Sequence, residues 1–307
     1  MNFADRLVSS CSQKQTYLMV GIDPQAETIP TFISSDLKFK DLPVSEYATQ
    51  VLFEYCRLII EASQPYVAII KPNIAFFERY GDSGLAAWDL VCRYISEQNL
   101  LVLADVKRGD IANTAQAYAD SLLKDQHSFL GRNLPTTKLD AVTINPFLGL
   151  DTVEPYVTAC KENKKGVFVL CRTSNPGAEY LQNFAYENKT ISEVVADQVH
   201  NWGLNLCGTL GYSSLGVVVG ATYPEQAIAL RQRMPHNLFL IPGAGTQGAD
   251  MRMACAGFDQ SKQGAIINVS RAIVKGLETC QDANVFQAQV AERAKNYRDQ
   301  INQALNS

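Results

Sequence analysis

Short runs of aliphatic and β-branched residues recur along the chain, each followed by turn residues and then by a longer stretch whose apolar positions repeat at helical spacing. The clearest runs are YLMVGI (17–22), YVAIIK (66–71), LLVLADV (100–106), LDAVTI (139–144), GVFVLC (166–171), LGVVVG (215–220), LFLIP (238–242) and GAIINVS (264–270). Amphipathic helices are expected between them, among them 47–63, 82–98, 191–207 and 224–234. Strands that alternate with helices pair in parallel through right-handed crossovers. Eight such units spread over the whole chain predict a closed (β/α)8 barrel, with an open doubly wound sheet as the structural rival. Two stretches interrupt the rhythm, 125–138 before the fourth strand and 174–190 after the fifth; the second is expected to belong to a closing lid. With no internal repeat, low-complexity tract or linker, residues 1–307 read as one domain.

Alternation along a barrel strand decides which side chains point inward, and those at the carboxyl ends converge on one mouth. On the third strand Leu103, Asp105 and Lys107 share a face, and the second strand ends in Lys71 on the face of Val67 and Ile69. Asp23 follows the first strand. A single charge at a strand end is ordinarily a solvated terminus. Two lysines and at least two carboxylates aimed into one concave mouth are a charge network, the usual setting for perturbed pKa values and catalysis. The seventh strand is followed by Gly243-Ala244-Gly245-Thr246-Gln247-Gly248, and the eighth ends in Ser270-Arg271. The loops after strands seven and eight are the habitual phosphate site of such barrels, where backbone amides and a guanidinium share the anion. A phosphorylated substrate is expected. The same glycines spell the G-x-G-x-x-G of a dinucleotide fold, but the chain beyond them holds only one clear strand, too little for the rest of such a domain.

Composition narrows the class. Hydrophobic residues make up 47% of the 307 residues and charged residues 19%, which describes a globular chain able to bury about three quarters of its surface. The balance of 27 Lys+Arg against 31 Asp+Glu, a net charge of −4 with no basic run, argues against a nucleic-acid or anionic-membrane partner. No signal-peptide core or stretch of membrane-spanning length is present, so a cytoplasmic enzyme is expected. The eight cysteines lack any C-x-x-C pair and read as reduced, packed thiols. The three histidines (127, 200 and 236) show no ligand spacing, and no serine or cysteine sits in a nucleophile elbow.

The segment LADVKRGDIANTAQAYA (103–119) resembles the signature of the orotidine 5′-phosphate decarboxylase family, a D-x-K-x-x-D motif on the third strand with a partner lysine from the second. Here these are Asp105, Lys107 and Asp110, with Lys71 in KPNIAFFE. The likeness covers nearly the whole chain and is strongest to the longer bacterial subfamily, which shares KPNxAFFE, DVKRGDI and TINPFLG. It implies a single (β/α)8 TIM barrel with extended loops at the carboxyl face. It also implies a cofactor-free decarboxylation of orotidine 5′-phosphate to uridine 5′-phosphate, with no metal. Asp23 would bind the ribose, Ser174 would meet the pyrimidine, and Gln247, Gly245 and Arg271 would hold the phosphate. Asp110 and Thr114 would enter the neighbouring site of a homodimer. Related sugar-phosphate decarboxylases and aldolases carry the same D-x-K-x-x-D element with a magnesium ion, and a barrel that only binds nucleotides is a further alternative.

Overall fold

Each of the eight apolar runs forms a strand in the computed structural model, which describes residues 1–244 and 251–307. In chain order they are β1 (Leu18–Ile22), β2 (Ile69–Pro72), β3 (Leu101–Arg108), β4 (Ala141–Ile144), β5 (Gly166–Arg172), β6 (Ser213–Val219), β7 (Asn237–Pro242) and β8 (Ala265–Val269). Consecutive strands pair in parallel, and β1 closes on β8 to complete a (β/α)8 TIM barrel. Long helices cover its outside, among them Val44–Ser63, Gly81–Glu97, Ile191–Gly203 and Pro224–Arg233. Their starts follow the sequence: Pro224 occupies the first turn of its helix, and Thr190 forms a capping box with Glu193.

Period-two alternation separates two apolar layers. Leu18, Val20, Ile70, Val102, Ala104 and Val142 face the surrounding helices. Met19, Ile69, Leu103, Ala141, Phe168 and Ile266 fill the barrel interior. The helix Phe3–Lys14 seals the amino-terminal end, with Phe3 fully buried and edge-on to Phe168. The interior face turns polar two residues further along several strands: Ile69 gives way to Lys71, Leu103 to Asp105, Ala141 to Thr143, and Ile266 to Asn268. The alternation that packs the lower barrel therefore delivers polar groups to its mouth.

Several boundaries differ from the sequence reading for local reasons. β2 starts at Ile69 because Gln64-Pro65-Tyr66 forms a 3-10 turn with proline in its first turn. The stretch 125–138 is an antiparallel hairpin, Gln126–Phe129 against Arg132–Pro135, whose turn residues Leu130 and Gly131 both have positive φ. The stretch 174–190 contains the short helix Ala178–Gln182 and a two-residue hairpin at Ala185–Tyr186 and Lys189–Thr190. It follows β5 at the mouth. Six cysteines are buried as expected, but Cys207 is exposed, because it follows the helix end rather than packing within it. Among the described residues no helix is long and apolar enough to cross a membrane.

Candidate active site

β2 and β3 bring the ionisable side chains together. Lys71 Nζ donates to Asp105 Oδ2 at 2.8 Å, and Lys107 Nζ donates to Asp105 Oδ1 at 2.5 Å. The carboxylate thus lies between two ammoniums, each taking a separate oxygen. Lys71 is almost wholly buried, whereas the Lys107 side chain is 48% exposed and so remains accessible from the mouth. Asp23 completes the cluster from the end of β1; its Oδ1 is buried and has no partner among the described residues. Gly21 permits this closure, because a Cβ there would stand 1.9 Å from Ser270 Oγ.

Burial pushes the Asp105 carboxyl up, but the Lys71 and Lys107 charges outweigh it and hold the group well below the usual carboxylate range. For Lys71, burial disfavours the ammonium, yet the Asp105 and Asp23 carboxylates more than compensate and raise its pKa. Asp23 is itself raised, chiefly by burial, with Lys71 opposing. A depressed Asp105 contributes stability that is present above its unfolded value near about pH 4 and is lost as pH falls towards its folded value. A raised Lys71 contributes stability that is present below about pH 10.4 and is lost as pH rises through its folded value. The difference in thermal midpoint between the wild type and Asp105→Asn should therefore stay constant from about pH 5 to 9 and shrink below about pH 4. Calorimetry across that range would check it; a difference that grows on acidification would contradict the ion-pair assignment.

Lys71, Asp105, Lys107 and Ser174 line one cavity of about 600 Å³, together with Thr143 and Asn268. It adjoins a recess of about 200 Å³ formed by Gly243, Ala244, Ser270 and Arg271. Asp23, Ser174, Asn268 and Ser270 belong to both, so a ligand with an anionic end in the recess would extend directly onto the lysines. Gly243 has φ 97°, which carries the chain out of β7 in a conformation glycine adopts readily. Gln247 and Gly245 lie outside the described residues. A separate cavity of about 340 Å³ at the amino-terminal end is lined by Lys262 but by no carboxylate.

Asp110 and Thr114 do not join the cavity. Asp110 Oδ1 accepts from the Ile111 amide at 2.8 Å, and Thr114 is exposed at the start of the helix Ala112–Leu123. Gly109 packs against the loop after β4, where a Cβ would come within 2.9 Å of the Asn145 carbonyl oxygen. Ile111 on one loop, Phe147 and Leu148 on the other, and Leu150 at the start of the helix that follows are exposed.

Among the polar lining residues, Thr143 and Asn268 were not anticipated, and Ser270 was read only as the strand end beside Arg271. Their signal was the same alternation, since Thr143 stands two residues after Ala141, and Asn268 and Ser270 follow Ile266 at steps of two. The placement of Lys107 also differs in its route. β3 slips register after Ala104, and Lys107 has φ 45°, so its ammonium meets Asp105 through an irregular strand end rather than by simple alternation.

The family described as Orotidine 5′-phosphate decarboxylase / HUMPS matches residues 16–282. An orotidine 5′-phosphate decarboxylase of Caldicellulosiruptor bescii is 37% identical over 305 residues, covering 99% of each chain. One of Rhodopirellula baltica is 38% identical over 279 residues, with 89% of this chain and 88% of the relative covered. Among solved structures, the OMP decarboxylase of Leishmania donovani superposes with a TM-score of 0.76 at 32% identity, over 100% of both chains.

Proposed function

The chain belongs to the orotidine 5′-phosphate decarboxylase / HUMPS family, and on that premise we propose that Lys71, Asp105 and Lys107 carry out its decarboxylation chemistry. The enzyme is a carboxy-lyase of pyrimidine biosynthesis that converts orotidine 5′-phosphate to uridine 5′-phosphate and CO2. The observation that carries the assignment of residues is the chain of ion pairs Lys71, Asp105, Lys107 facing a glycine and arginine recess across one cavity.

Breaking the bond from C6 to the carboxylate leaves an electron pair on a ring carbon that resonance cannot readily delocalise, so placed charge must lower the barrier. The Lys107 ammonium gains attraction as negative charge collects on C6, and it then delivers its proton there. Asp105 stands beside the departing carboxylate and repels it before the bond breaks. A unit-charge pair at about 4 Å and an effective dielectric near 20 is worth about 4 kcal/mol, or roughly three powers of ten in rate. Binding energy from the distant phosphate, held by Arg271, Gln247, Gly243 and Gly245, would hold the ring in that repulsive position. Asp23 and Thr114 would take the ribose hydroxyls, and Ser174 the pyrimidine edge.

Asp110 completes the alternation of charge only if it comes from a second subunit. It is absent from the lining of its own cavity, and the exposed Ile111, Phe147, Leu148 and Leu150 stand on the segments that follow β3 and β4 at the mouth. An apolar rim of this kind suits burial against a second copy. The reading is thus a cytoplasmic homodimer in which Asp110 and Thr114 act across the interface and residues 1–307 work as one catalytic domain.

The test is to follow the loss of orotidine 5′-phosphate absorbance, with and without a strong chelator. Equal turnover in both is expected, because the ammonium array supplies the charge. Activity that disappears on chelation and returns with magnesium would move the enzyme to the sugar-phosphate branch of the superfamily. Tight binding of uridine 5′-phosphate without turnover of orotidine 5′-phosphate would reduce it to a binding protein.

A further inference from the structure

We propose that Thr143 is a positioning residue that sets the geometry of the Asp105 and Lys107 pair. The inference rests on the assignment of those two residues to the chemistry. Thr143 is 1% exposed on the inward face of β4. Its Oγ1 accepts from the backbone N–H groups of Val106 and Lys107, both at 3.0 Å, and donates to Asp105 Oδ1 at 2.9 Å. A hydroxyl has one proton to give and two lone pairs to receive with, so all its capacity is used. Although Thr143 lines the cavity, it has no hydrogen bond left for a ligand. It acts through its neighbours.

The strand register shows what those bonds do. Ala104 pairs with Val142 and Arg108 with Ile144, so three residues of β3 stand opposite Thr143 alone. In a regular parallel ladder the successive amides of Val106 and Lys107 would point to opposite sides and seek carbonyls on β2 and β4. Here one side-chain oxygen receives both, and the strand bulges. Lys107 sits at the bulge with φ 45°, a conformation lysine rarely adopts, and its side chain folds back onto Asp105. The same hydroxyl fixes the rotation of the Asp105 carboxylate, which keeps Oδ1 for Lys107 and Oδ2 for Lys71. Without the hydroxyl, the buried Val106 amide and the part-buried Lys107 amide lose their acceptor and the carboxylate can turn.

Displacement of a reacting group by about 1 Å costs on the order of a hundredfold in rate. Thr143→Val, close in shape but without the hydroxyl, should therefore lower kcat on orotidine 5′-phosphate by about 10- to 100-fold. KM and the affinity for uridine 5′-phosphate should move by less than about threefold, since the phosphate recess is untouched. Thr143→Ser, which keeps the hydroxyl and loses only the methyl group, should remain within about threefold of the wild type in kcat. A valine variant with wild-type kcat, a loss seen in KM alone, or a serine variant as slow as the valine variant would each overturn the proposal. A purely structural role would lower the thermal midpoint and leave kcat per folded enzyme unchanged. If the valine variant does not fold, the serine variant decides alone: near wild-type kcat upholds the inference and a loss of more than tenfold sinks it. Lys107→Ala is the control. Its retention of activity would remove the catalytic assignment itself, whereas its inactivity beside an unimpaired valine variant would remove only the role of Thr143.

Discussion

Replacing Lys107 by alanine should lower the rate of orotidine 5′-phosphate decarboxylation by at least about 10⁴-fold, because one side chain is asked to do two things. As a fixed ammonium it stabilises charge developing on C6, an effect for which loss of a single donor costs about 10²- to 10³-fold. As the proton source it adds general-acid catalysis, typically 10²- to 10⁴-fold. The fold should survive, since Lys107 is half-exposed and Lys71 still neutralises the buried Asp105 carboxylate. Affinity for uridine 5′-phosphate should change little, because the recess of Gly243, Ala244 and Arg271 is remote from the substitution in sequence and unaltered. Steady-state absorbance assays give kcat/KM directly. A loss below about tenfold would remove Lys107 from the reaction.

The second large effect concerns Asp110. Asp110→Ala and Lys107→Ala chains should each be nearly inactive alone, and mixing them should restore activity. In a heterodimer one mouth receives its own Lys107 and the partner's aspartate, while the other mouth lacks both. About half the wild-type activity per heterodimer follows. The chains would be dissociated, mixed and reassembled, with heterodimers purified by different affinity tags. Recovery would require Asp110 to act across an interface. Inactive heterodimers of verified composition would place its action within its own subunit or outside catalysis.

The fold was legible because each strand is a compact apolar run and each helix carries a periodic face. The charged half of the site was legible for a related reason: a charge on the inward side of a buried strand stands out, as Lys71 and Asp105 do. Thr143 and Asn268 lie on the same inward positions but were passed over, since threonine and asparagine inside a β run read as ordinary ladder residues. Lys107 was found by a regular alternation that β3 does not keep. The bulge depends on a hydroxyl 36 residues later in the chain, a contact that spacing within one segment does not encode. Arg172 illustrates the same limit. A register shift between β5 and β6 accompanies its wholly buried side chain, which donates to Gln226 and to the Thr173 carbonyl beside Ser174. Asp110 was recognisable by motif alone, because it lies past the end of β3 and outside the lining of the cavity, where alternation along the strand does not mark it.

A structure of the wild type bound to uridine 5′-phosphate would decide whether the lysine array and the arginine recess serve opposite ends of one nucleotide. The expected result places C6 within hydrogen-bonding reach of Lys107 Nζ, the phosphate on Arg271, and Asp110 of a second subunit beside the ring. A nucleotide seated with its phosphate on the lysines, or with its base away from Lys71, Asp105 and Lys107, would contradict this account of how the enzyme works.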